Sequence, residues 1–234
     1  MGRTFGFYRS PLGKKAVMAV TGLVLFGFVV GHLLGNLKLF LGRFPDGPHA
    51  GQFKIDVYGE GLRELGAPLL GHGQALWIAR AVLLAAVGLH ILSAWQVTRL
   101  SWAARPRAYR RRATVQATYA ARTMRWGGVI VLLYVLYHLA DLTFGWLNPG
   151  FTAGAVHRNL VASFQRPLVA GLYVVANVAL GFHLFHGLWS FFQTLGFNHP
   201  RWNPLRRQFA SAFAWIVTLG NLSFPLAVLT GWVK

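Results

Sequence analysis

Nine histidines are spread along this chain, and five of them stand inside long apolar runs: His32, His90, His138 and the pair His183/His186. An ionisable side chain inside a membrane-spanning helix is costly and marks function by default. A buried polar group must also find a partner or lose free energy. Neutral imidazole is a strong metal ligand, and two imidazoles from facing helices can fill both axial positions of a haem iron in a bundle core. An iron ligated in that way has no open site, so the expected chemistry is electron transfer rather than oxygen activation.

Depth along the helices sorts these histidines into two levels. At 1.5 Å per residue, His32 lies about 6 Å and His138 about 1–2 Å beyond the midpoints of their spans, toward the outside. On the same measure His90 lies about 5 Å, His183 about 5 Å and His186 about 9 Å to the cytoplasmic side. The expectation is therefore an outer metal centre held by His32 and His138, and an inner one held by His90 and a histidine of the fourth span. His183 and His186 are three residues apart and share a helix face, so spacing leaves the choice between them open. His49, His72, His157 and His199 fall in expected loops and read as solvated.

The elements that must carry these ligands are evident in the composition. Of 234 residues, 55% are hydrophobic and only 12% are charged, far from the usual soluble balance of about 25% charged. Apolar stretches at 16–41, 75–98, 127–147, 167–194 and 209–232 each reach the roughly 20 residues a helix needs to cross a bilayer. The chain thus reads as all-α, a single membrane domain over 1–234. Four spans form a haem-binding bundle, and the fifth, without histidine or charge, packs at its edge as a peripheral helix.

Basic residues orient the spans. Arg3, Arg9, Lys14 and Lys15 precede the first span. Arg99, Arg105, Arg107, Arg110, Arg111, Arg112, Arg122 and Arg125 surround the connection between the second and third. Arg201, Arg206 and Arg207 lie between the fourth and fifth. These segments alternate onto one face, while Asp46, Asp56, Glu60, Glu64 and Asp141 lie on or near the other. The N-terminus is expected in the cytoplasm and the C-terminus outside. The basic face would attract anionic lipid and could steer an acidic soluble partner into place; nucleic acid is not an expected partner of so embedded a chain. With no cysteine, the chain can hold neither all-cysteine iron–sulfur clusters nor covalent c-type haem, so if it moves electrons it must take them from clusters on another subunit.

Three further residues belong with this chemistry. Lys38 and Arg80, near the outer ends of the first two spans, could pair with haem propionates or snorkel to headgroups. Asp141, the one acid inside a span, could exchange protons with a quinone or form an ion pair with Arg80 or Lys38. Gly27, Gly31 and Gly35 place small residues at four-residue spacing beside His32, where a helix or a flat macrocycle could approach. The outer loop at 42–74 carries FKIDVYGEGLRELG, a short amphipathic surface helix, and Pro167 suits the start of the fourth span.

Several segments in order resemble one family: FYRSPLGKKAVMAVTGLVL at the N-terminus, GHLLGNLKLF around His32, KIDVYGEGLRELG outside, and FHLFHGLWSFFQTLG in the fourth span. The chain resembles the single-polypeptide, five-helix, di-haem cytochrome b anchor of succinate:quinone oxidoreductases and fumarate reductases, over nearly its whole length. The resemblance implies a bacterial cytoplasmic-membrane subunit of the respiratory chain and tricarboxylic acid cycle. It implies two haem b ligated by His32, His90, His138 and His186, the last chosen because Gly187 follows it. A flavoprotein bearing the dicarboxylate site and an iron–sulfur subunit would dock on the cytoplasmic face, and the membrane quinone, expected as menaquinone, would exchange electrons with the anchor. Some fumarate reductases carry a glutamate two residues before the fourth ligand; Leu184 stands there in this chain, which puts that proton route in doubt. The competing expectations are the cytochrome b anchor of a hydrogenase or formate dehydrogenase, a membrane enzyme with non-haem iron, and a cofactor-free proton-coupled transporter.

Overall fold

The computed structural model describes Tyr8, residues 10–104 and residues 119–234; Arg3, Arg9 and the arginines of 105–112 lie outside the described residues. Among the described residues seven α-helices follow one another: α1 (Pro11–Asn36), α2 (Lys54–Gly61), α3 (Gln74–Ala103), α4 (Tyr119–His138), α5 (Val156–Phe164), α6 (Pro167–Thr194) and α7 (Asn203–Leu229). Five of them (α1, α3, α4, α6 and α7) are long and apolar enough to cross a membrane, and no strand is formed among the described residues.

The helix ends follow from local chemistry. Ser10 caps α1 by accepting the Gly13 N–H at 3.0 Å, and Pro11 occupies the first turn, where no N–H is needed. α1 tightens into a 3₁₀ turn over Leu37–Leu41 and stops at Gly42, whose φ of 64° suits a residue without a Cβ. Pro167 opens α6, as expected. Pro204 likewise starts α7 at Asn203, earlier than the apolar run at 209–232 suggested. The basic connection after α3 is helical at both ends, to Ala103 and from Tyr119.

α3 packs chiefly on α1, and α4 chiefly on α6, while α7 packs on α6 and also touches α1. The α6–α7 seam is lined by small residues, among them Ala170, Ala176, Ala210 and Ala214, all buried. At Gly181 the helices come so close that a Cβ would strike the Thr218 hydroxyl, the kind of approach only small residues permit. Of the apolar window of α7, 39% is buried, against 6% for α3 and for α4, and its chief neighbour is α6. One face of α7 packs in that seam, while Leu205, Trp215, Ile216 and Leu219 on its other side remain exposed.

One correction lies outside the spans. Residues 148–166, expected as a loop, contain α5, which packs on α2. Asp56 of α2 accepts the His157 N–H at 2.8 Å at the start of α5. The His157 ring lies flat on Phe53, centroids 3.5 Å apart. His157 is therefore buried, not solvated. Tyr58 of α2 fills the face of Gly35, where a Cβ would sit 2.7 Å from its ring, so α2 and α5 form a small cap on one end of the bundle.

Candidate metal centres

Four of the five intramembrane histidines meet in two pairs, each joining a helix of the α1–α3 pair to one of the α4–α6 pair. His32 of α1 meets His138 of α4, ring centroids 5.8 Å apart and planes perpendicular. His90 of α3 meets His183 of α6 at 6.3 Å, planes at 63°. With metal–imidazole bonds of about 2.0–2.1 Å, as at zinc, ligating nitrogens stand about 4 Å apart and ring centres roughly 6 Å apart. Both pairs have the separation that one shared ion requires.

The second nitrogen of two of these rings is engaged. His90 Nδ1 faces the Met18 carbonyl at 3.1 Å and the Thr21 hydroxyl at 3.3 Å. The carbonyl can only accept, so Nδ1 carries the proton and Nε2 keeps its lone pair. His138 Nδ1 faces the Tyr173 hydroxyl at 3.4 Å. Outer hydrogen bonds of this kind orient metal-binding histidines and fix their tautomer. Gly22 makes room for His90, since a Cβ there would lie 3.2 Å from the ring. His32 stacks on Phe28 at 5.3 Å.

On the fourth span the two candidate histidines have different neighbours. The ring opposite His90 belongs to His183, whose Nδ1 is buried without a hydrogen-bond partner. His186, three residues on, points Nε2 at the Ser190 hydroxyl, 3.1 Å away. A buried nitrogen left without a partner costs about 1–3 kcal/mol, and a metal lone-pair acceptor would relieve it. Gly128 lies against the same ring, 3.7 Å from where its Cβ would be, and Gly27 and Gly31 face open space. Donor chemistry, ring spacing and the bare glycine surface fit a flat, imidazole-ligated macrocycle.

Two helices measure the distance between the centres independently. His90 contacts α1 at Met18 and Thr21, and His32 lies 11 residues beyond Thr21, about 16 Å along the axis. On α6, Tyr173 touches His138 and His183 lies ten residues on, about 15 Å. The two sites are stacked along the bundle at separate depths.

The remaining candidates have other partners. Lys38 lies over the Tyr58 ring, 4.2 Å from its centre, and Arg80 over Trp77 at 4.8 Å. Asp141 is completely buried and pairs with neither. It accepts from Arg166 at 2.8 Å, Ser163 at 2.5 Å and Tyr173 at 2.9 Å, so its ion-pair partner is Arg166 of the α5–α6 turn. His49, His72 and His199 are exposed. Sequence reasoning passed over Tyr173, Thr21, Ser163 and Arg166. Tyr173 carried a usable signal, since it lies ten residues before His183 in a span otherwise poor in hydroxyls. Comparison of the chain with family models, with curated proteins and with solved structures returns no match.

Proposed function

We propose that this chain is a membrane cytochrome b that carries electrons between an iron–sulfur subunit and membrane quinone, as the anchor of a succinate:quinone oxidoreductase or fumarate reductase. The observation that supports the reading is the pair of imidazole–imidazole contacts, 5.8 and 6.3 Å between ring centres, each bridging helices that otherwise stand apart. His32 and His138 would hold the outer haem, and His90 with His183 the inner one. His186 remains the ligand that the resemblance implies, and the ring contact favours its neighbour. Haem supplies one-electron redox chemistry, whose potential answers to axial ligands, hydrogen bonds and burial. The protein's own part is to fix four imidazoles at two depths, to enclose them in apolar side chains, and to offer a basic face to a partner carrying the clusters that this cysteine-free chain lacks.

The test is a dithionite-reduced minus oxidised spectrum of the purified chain, with a haem-to-protein ratio. Two b-type haems per chain are expected, and an iron–sulfur subunit should copurify with it in mild detergent. A colourless protein would overturn the reading in favour of a proton-coupled carrier.

A further inference from the structure

We infer that Tyr173 and Asp141 are positioning residues for the outer centre, holding His138 in one orientation and one tautomer through a hydrogen-bonded chain; this rests on the bis-histidine reading above. Asp141 sits in a π-helical turn, Leu139–Thr143, that follows His138 directly and closes with the Phe144 N–H on the Leu139 carbonyl at 2.9 Å. Such turns within helices recur at functional sites. The turn sets Asp141 beside Tyr173 of α6, whose hydroxyl lies 2.9 Å from Oδ2 and 3.4 Å from His138 Nδ1.

The proton positions follow from what each group can do. A carboxylate accepts only, so the single Tyr173 proton points at Asp141. The tyrosine oxygen then faces His138 with its lone pairs, and Nδ1 must bring the proton. Nε2 is left as the atom with a free lone pair for a metal. Asp141 is itself held, by the Arg166 guanidinium on Oδ1 and the Ser163 hydroxyl on Oδ2. Tyr173 has no freedom to turn away, because Phe164, Tyr134 and Tyr137 pack around its ring at 4.9, 5.3 and 6.0 Å. Electron density passed from the carboxylate through tyrosine to the imidazole strengthens the ligand and favours the oxidised metal. At the inner pair His90 rests instead on a neutral carbonyl and a threonine.

A purely structural ion pair between Asp141 and Arg166 would look similar at first sight, and the two differ in what they move. Tyr173→Phe keeps the ring and its packing and removes only the link. In the haem-loaded protein one of the two midpoint potentials is expected to rise and its low-spin resonance to shift, with the other haem unchanged. Affinity at that site should fall by about 10–100-fold, as for other outer-shell partners. In haem-free protein, ¹⁵N resonances of His138 should report an Nδ1–H tautomer that becomes mixed in Tyr173→Phe. Asp141→Asn, if it folds, should shift the same potential in the same direction. A folded Tyr173→Phe protein with both potentials, both resonances and the His138 tautomer unchanged would overturn the inference. Wild-type protein that binds no haem would instead remove the reading beneath it, and the positioning role with it.

Discussion

His183 and His186 share a helix face, yet their surroundings ask different things of them. His183 faces His90 with a buried, unpartnered nitrogen, whereas His186 already has Ser190. His183→Ala should therefore leave one haem per chain, measured by pyridine haemochrome, while His186→Ala keeps two; the reverse pattern would return the ligand role to His186. His157 makes a separate prediction at this scale. Burial pushes its imidazole below the ordinary value, with Asp56 opposing and Arg43 adding to the effect. The unfolded chain thus binds a proton more readily, so this contribution is intact above about pH 6.5 and is lost as the pH falls from there toward the lowered folded value. Melting temperature should drop between pH 7.5 and 5.5, and His157→Phe, which can still stack on Phe53, should show a smaller drop. The depths of the four paired histidines could be read from sequence because helical rise is fixed. Which of two neighbouring histidines faces across the gap could not, because a few degrees of helix rotation decide it. The partner of Asp141 escaped for a similar reason, since Arg166 comes from a turn that only α5 brings close.

Glycines separate the helix seams that are closed from those that are open. The sequence stripe Gly27, Gly31 and Gly35 looked like one surface, but only Gly35 is covered, by Tyr58, while Gly27 and Gly31 touch nothing. The tight seams lie at Gly181 against Thr218 and at Gly220 against Leu33. Gly181→Leu should force α6 from α7 and destabilise the protein by about 1–3 kcal/mol, the usual cost of overpacking. Gly27→Ala should leave the melting temperature unchanged. Measuring both in detergent checks the assignment, and equal losses at the two positions would contradict it. The five spans were legible because twenty apolar residues have few alternatives. The close packing of α7 on α6 was not, since lack of histidine says nothing about burial, and its row of alanines signals packing only once a neighbour is known. α5 was hidden because nine residues flanked by turns carry too little periodicity to stand out.

Charge arranges the whole molecule along its long axis. Asp46, Asp56, Glu60 and Glu64 lie in the loop and cap between α1 and α3, and Asp141 lies at the same end of the bundle, on α4 beside α5. Arg201, Arg206 and Arg207 belong to the opposite end, where α6 gives way to α7. The inside-positive bias would set the capped end outside, the His90/His183 pair nearer the cytoplasm and the His32/His138 pair farther from it. An electron donor docking on the basic face would meet the inner centre first, and electrons would cross about 15 Å of helix to reach the outer one. The absence of cysteine makes the orientation directly testable, because single-cysteine variants report without background. Asp46→Cys and Arg201→Cys both replace exposed residues. In intact cells an impermeant maleimide should label Asp46→Cys and spare Arg201→Cys, and in inverted vesicles the pattern should exchange. The opposite labelling would put the basic face outside and leave a cytoplasmic iron–sulfur partner no surface on which to dock.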